Sequence, residues 1–145
     1  MKRGGFSVVI YGFSHTDGDT TFNFTEIDNT KCMLVSVYDK CRNEVEEIRI
    51  PENVVNEEGN VLKVSKLDKM AFSAFTALKD LYIPKTVTEI HCDAFLFVSG
   101  KITVHSQKGS CAEIWAKSKG FDFKKDDSDL NRFLNNLNTE KETIK

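Results

Sequence analysis

The side chains best suited to chemistry at neutral pH are three histidines, His15, His91 and His105, and four cysteines, Cys32, Cys41, Cys92 and Cys111. Metal ligation and nucleophilic catalysis would need them at set spacings. No two histidines stand at i, i+4, and H-E-x-x-H is absent, so a zinc-protease helix is not indicated. No two cysteines make C-x-x-C, which leaves a zinc ribbon or a redox motif unsupported. Cys32 and Cys41 stand where a hairpin could bridge them. Four free, partly buried thiols are the simpler reading. Structural or surface roles are assigned to all three histidines.

The carboxylates and glycines are equally sparing. Asp17 and Asp19 around Gly18 look like the start of a calcium loop, but the third acidic position and the distal Glu are missing, so a plain turn is expected. Asp126, Asp127 and Asp129 form a solvated acidic cluster suited to the N-terminus of a following helix. G-x-S-x-G is absent, and Gly4-Gly5 stands without the G-K-[ST] of a phosphate loop. No catalytic residue, metal or cofactor is predicted, and the chain is read as not an enzyme.

Bulk properties exclude further classes. A length of 145 residues fits one compact domain. Net charge is −2 and the pI about 5.9, with basic residues single or paired (Lys2-Arg3, Lys124-Lys125), so no field draws nucleic acid or anionic lipid. No run approaches the roughly 20 apolar residues of a membrane span. Lys2 and Arg3 before Phe6–Phe13 superficially resemble a signal peptide, but His15 to Gly18 follow where a small-residue cleavage site should lie. Val8, Val9 and Ile10 read better as a strand. Secretion is therefore not argued from these residues.

The organising feature is a repeat. Ile48-Arg49-Ile50-Pro51-Glu52-Asn53-Val54 and Leu81-Tyr82-Ile83-Pro84-Lys85-Thr86-Val87 both read apolar, any, Ile, Pro, polar, polar, Val. Each copy has a second shared string, Val64 through Leu67 to Ala71-Phe72 and Val87 through Ile90 to Ala94-Phe95, and 23 residues separate Phe72 from Phe95. Val55 to Lys63 is an insertion in the first copy, and its Glu58-Gly59-Asn60 centre predicts a hairpin turn. Lys101-Ile102-Thr103-Val104 predicts a third, truncated strand. Alternation places Ile48, Ile50, Leu81, Ile83, Ile102 and Val104 on one face. Pro51 and Pro84 end the strands because proline cannot donate to a ladder. One unit cannot bury its apolar face alone, so units must stack, with their strands forming a parallel sheet.

These strings resemble the BspA-type leucine-rich repeat, whose unit resembles L-x-x-I-x-I-P-x-x-V-x-x-I-x-x-x-A-F. Gly109-Ser110-Cys111-Ala112-Glu113-Ile114-Trp115-Ala116 is similar to the G-S-x-A-E-x-x-A segment that closes such arrays. The resemblance covers roughly Glu46 to Phe123. The third strand departs by lacking its proline, and Cys111 stands where the family usually has an aromatic. His91 falls at a position that is often polar and exposed in such repeats. The resemblance implies a surface or secreted protein used in adhesion. Local chemistry independently predicts the closing helix: Ser110 with Glu113 is a capping box, Gly120 a left-handed terminus, and Ala112, Trp115 and Ala116 one apolar face.

The expected fold is thus mostly β with short helices: a leucine-rich-repeat solenoid with a parallel sheet on one side, an N-terminal β cap and a C-terminal capping helix. Residues 1–44 form the cap or a degenerate first repeat, with strands over Phe6–Tyr11, Phe22–Ile27 and Cys32–Tyr38. Turns separate them at Thr16-Asp17-Gly18-Asp19 and Asp28-Asn29-Thr30. Residues 45–123 form the solenoid with its closing helix. Residues 124–145 form a charged tail, in which Leu130, Phe133, Leu134 and Leu137 share the spacing of a short amphipathic helix. Glu47, Arg49, Asp80, Tyr82, Lys101 and Thr103 are expected to line the outer face of the sheet and to bind an unidentified protein. The rival readings are a spacer within a longer repeat protein, and a small-ligand pocket lined by Phe6, Tyr11, Phe13, Phe22 and Phe24.

Overall fold

The computed structural model describes residues 12–73, 75–94 and 101–126. The strand expected over Phe6–Tyr11, the ring of Phe95 and the helix expected from Leu130 to Leu137 lie outside them. Among the described residues the chain is mostly β with one short helix. The strands are β1 (Gly12–Asp17), β2 (Thr20–Glu26), β3 (Lys31–Asp39), β4 (Glu47–Arg49), β5 (Asn53–Val55), β6 (Val61–Leu67), β7 (Asp80–Tyr82), β8 (Glu89–Ile90), β9 (Thr103–Ser106) and β10 (Asp122–Lys125); the helix is α1 (Cys111–Lys119).

Among the described residues two sheets form, and from β4 to β9 the chain passes back and forth between them. One has the order β10-β9-β7-β4. All its pairings are parallel, with Ile48 beside Leu81, Leu81 beside Val104 and Val104 beside Phe123. The other has the order β1-β2-β3-β6-β5, with β8 also pairing β6. The proline rule acts residue by residue. Ile50 donates its N–H to the Tyr82 carbonyl at 3.0 Å and Ile83 donates to His105 at 2.9 Å. The next residue in each copy is proline, which cannot donate, and the chain turns away to the other sheet.

The aliphatic positions of both repeats meet in one core. Ile48, Leu81, Val104, Val64, Leu67, Ala71, Phe72 and Ala94 are all buried within a single apolar cluster. The insertion in the first copy is a hairpin, with β5 antiparallel to β6. Asn56 makes its turn: the side-chain Oδ1 accepts the N–H groups of Glu58 and Asn60 at 3.1 and 2.9 Å, and Gly59 adopts φ 87°.

The N-terminal strands β1 to β3 form an antiparallel meander. β3 then runs parallel to β6, so meander and repeats share one sheet. Sequence patterning missed β1, because Phe13 is its one buried side chain. Thr16 and Asp17, expected in a turn, belong to this strand, and the turn contracts to Gly18-Asp19. Asp28 holds the next turn, its Oδ1 accepting the Thr30 N–H at 2.7 Å and the Lys31 N–H at 2.9 Å.

Helix α1 follows its caps. Ser110 Oγ accepts the Glu113 N–H at 3.3 Å, and Gly120 sits at φ 77°. The reciprocal half of the capping box slips by one residue, with Glu113 accepting the N–H of Gly109 at 2.7 Å rather than that of Ser110. Ala112, Trp115 and Ala116 are buried, and the Trp115 ring packs on Phe121 at 5.4 Å. Strand β10 carries the sheet through Lys125.

Leu81 sits fully buried at the centre of the parallel sheet. Leu81→Ala should therefore cost about 2–5 kcal/mol in urea unfolding. A loss below about 1 kcal/mol would show that this sheet does not carry the core. Glu113 tests the cap. The Gly109 N–H, and next the Lys117 ammonium, hold its carboxyl below the ordinary value of 4.5. Its stabilisation is then complete above the unfolded-state pKa and lost as pH falls through the lower folded-state value. The thermal stability gap between wild type and Glu113→Gln should shrink on acidification across that range, and a pH-independent gap would refute the assignment.

Candidate interaction face

The outer face of the parallel sheet carries two rows of side chains set by backbone register. Glu47, Asp80, Thr103 and Asp122 align in one row, and Arg49, Tyr82, His105 and Lys124 in the other. Strands in a sheet lie about 4.8 Å apart, close to the stacking distance of flat groups. The second row uses that match. The Arg49 guanidinium carbon lies 3.7 Å from the centre of the Tyr82 ring. On the other flank His105 stacks on Tyr82, with centroids 4.1 Å apart and planes 10° from parallel.

The acidic row clamps this column. Arg49 Nε donates to Glu47 Oε2 at 2.9 Å, and His105 Nε2 lies 2.8 Å from Asp80 Oδ1. A carboxylate can only accept, so Nε2 is the protonated nitrogen of His105. Partial burial by itself would lower the Arg49 pKa. The Glu47 hydrogen bond and charge, with smaller contributions from Tyr82 and Asp126, leave it above its ordinary value. The Arg49–Glu47 pair is solvent-exposed and contributes little to stability by itself. What it does is hold a planar cation over an aromatic ring. Beyond the strand ends, Arg49, Glu52, Tyr82, Lys85, Gln107 and Asp126 line a cavity of about 150 Å³.

Of the residues expected on this face, Glu47, Arg49, Asp80 and Tyr82 come together, and Thr103 continues the acidic row. Lys101 lies at the margin of this face, outside the ladder. The third strand is Thr103–Ser106, two residues later than expected, and Lys101 precedes it, with its ammonium 3.9 Å from Asp122. A two-residue slip keeps every side chain on its own side of the sheet, so apolar alternation cannot detect it. The place beside Tyr82 falls to His105, the residue that follows the strand expected over Lys101 to Val104. A signal for it was present: Tyr82 and His105 are separated by 23 residues, the interval from Phe72 to Phe95.

The other candidate sites resolve differently. Phe13 stacks on Phe24 at 5.4 Å and Phe22 on Phe24 at 6.5 Å, and all three are buried. Phe13 and Phe24 also border an open concavity of about 590 Å³ with Asn23, Val55 and Asn56. Phe6 and Tyr11 lie outside the described residues. All four cysteines are free thiols, including the Cys32 and Cys41 pair. No helix among the described residues is long and apolar enough to cross a membrane.

Solved structures similar to this chain include two leucine-rich repeat proteins. One is a leucine rich cell surface protein from Faecalibacterium prausnitzii, with 27% identity, a TM-score of 0.52, and coverage of 68% of this chain. This chain spans 25% of that protein's length. The other is a leucine-rich repeat protein from Bacteroides capillosus, at 16% identity and a TM-score of 0.44, covering 64% of this chain and 71% of that one. No protein-family model matches the chain, and no curated protein does.

A double-mutant cycle checks the stack. Arg49→Ala and Tyr82→Ala, singly and together, should give a coupling of about 0.5–1 kcal/mol in urea unfolding. Additive effects would mean that guanidinium and ring are independent in solution.

Proposed function

We propose that this chain is a short leucine-rich-repeat solenoid that acts as a non-catalytic protein-binding module at a cell surface, with the outer face of the parallel sheet as its docking surface. The observation that carries this reading is the Arg49–Tyr82–His105 column. Tyrosine and arginine are the side chains most often found to anchor protein interfaces. Here their rotamers are held by stacking and by Glu47 and Asp80, so little side-chain entropy remains to be lost on binding. Flanking charges of both signs supply a polar rim.

The surface location is supported by the Faecalibacterium neighbour, which is named a leucine rich cell surface protein. The adhesion role follows from the resemblance of the repeat strings to the BspA type, and is a fold-level inference. Catalysis is the weaker reading, since the titratable groups on this face are committed to one another.

The test compares the labelled full chain with its Arg49→Ala/Tyr82→Ala variant on surfaces coated with extracellular-matrix proteins. Saturable binding by wild type and a loss of about thirtyfold or more in the variant, at unchanged circular dichroism, is the expected result. Equal binding by a folded variant would remove this face from the proposal.

A further inference from the structure

The turn that follows β8 reads His91-Cys92-Asp93, and one potential ligand atom from each lies within 4.8 Å of the others. Cys92 Sγ stands 3.9 Å from His91 Nδ1. Zinc bonds at about 2.3 Å to sulfur and about 2.0 Å to nitrogen place those two atoms about 3.5 Å apart at the tetrahedral angle and at most about 4.3 Å apart. The observed separation falls inside that span.

The turn is anchored rather than loose. His91 donates its N–H to the Leu67 carbonyl at 3.0 Å, Met70 donates to the Asp93 carbonyl at 2.9 Å, and Ala94 donates to the His91 carbonyl at 3.0 Å. The imidazole is oriented too, because Nδ1 accepts the Asp93 N–H at 3.0 Å. Accepting that bond leaves Nδ1 without a proton, its lone pair directed at the Asp93 amide. An ion taking the lone pair displaces one amide contact, which solvent can then satisfy. His91 and Cys92 are exposed and Asp93 is half-buried, so a hydrated cation has access.

The preceding repeat supplies an internal control. Asp68-Lys69-Met70 occupies the same turn, with Asp68 donating to the Leu34 carbonyl at 2.9 Å and Ala71 to the Asp68 carbonyl at 3.3 Å. Both turns make this pair of backbone bonds, although Met70 takes φ 58° and its counterpart Asp93 does not, so those bonds require neither a histidine nor a cysteine. Imidazole, thiolate and carboxylate together suit zinc-class ions and discriminate against calcium and magnesium, which take oxygen ligands. Cys32 is no competitor: burial, and then the Glu26 charge, push its thiol up to about 12.

We propose that His91, Cys92 and Asp93 bind one thiophilic divalent cation of the zinc class, with water completing a tetrahedral shell. Binding converts the Cys92 thiol to thiolate and releases its proton to solvent. This site is separate from the stacked column on the parallel sheet and does not rest on the docking proposal.

The test uses the reduced, chelator-treated full chain titrated with Co²⁺ as a spectroscopic probe. Wild type should take one equivalent, giving a thiolate-to-cobalt charge-transfer band and the visible bands of a four-coordinate ion, and Zn²⁺ should bleach both. Cys92→Ser should lose the charge-transfer band, and His91→Gln should weaken binding by about tenfold or more. Cys41→Ser and Cys111→Ser should behave as wild type. A wild type without the band, a band that survives in Cys92→Ser, or undiminished binding by His91→Gln overturns the site, with circular dichroism confirming that each variant is folded.

Discussion

The backbone ladder between successive repeat strands is the constraint on which the rest of the molecule depends. Strands β4 and β7 are three residues long and β9 is four. Segments that short cannot hold themselves extended, and one apolar row on each cannot be buried alone. Parallel pairing solves both problems together. It satisfies the main-chain groups and brings Ile48, Leu81 and Val104 into a continuous buried line. The proline after Ile50 or Ile83 limits each strand and forces the chain across to the second sheet, where β6 and β8 pair in parallel. In the third copy Ser106 stands where the others have isoleucine, and its hydroxyl donates to the Ile83 carbonyl at 2.7 Å, keeping a buried polar group satisfied.

Once the inner row is aligned, the outer rows have no freedom. Arg49, Tyr82 and His105 must lie one strand spacing apart, which suits flat groups to stack and leaves their edges to Glu47 and Asp80. The face offered to a partner is therefore a by-product of core registration. Its chemistry can vary by substitution at outward positions without disturbing the apolar line beneath, which is how a repeat scaffold changes its recognition while keeping its fold.

Both ends of the array need covering. The β1–β3 meander pairs with β6 on one side, and α1 packs its Ala112, Trp115 and Ala116 face inward on the other. The inserted hairpin extends the second sheet beyond β6, and the amide of its buried Asn56 donates to Glu26 at 3.0 Å, tying the insertion back to the meander. The turns between strands are the positions of least constraint. Asp68-Lys69-Met70 and His91-Cys92-Asp93 share two backbone hydrogen bonds but no side-chain chemistry at the first two positions.

The sequence by itself determined the repeat strands, their proline ends, the hairpin turn at Glu58-Gly59-Asn60 and the closing helix, because each is written in local signals: alternation, a missing donor, a turn residue, a cap. It also determined which side chains face outward, since that follows from parity. It did not determine the placement of the third strand, because a shift by two residues preserves parity and leaves every apolar residue facing the core. That shift left Lys101 outside the ladder and set His105 beside Tyr82, although the 23-residue interval carried the answer. β1 was not legible either, as a strand with one buried side chain shows no alternation; its partners in β2 define it. Only the tertiary structure decided that Arg49, Tyr82 and His105 form one column and that a tripeptide turn gathers three donor atoms. Both depend on distances between chain segments or within a turn, and those are set by packing and ladder hydrogen bonds rather than by residue order.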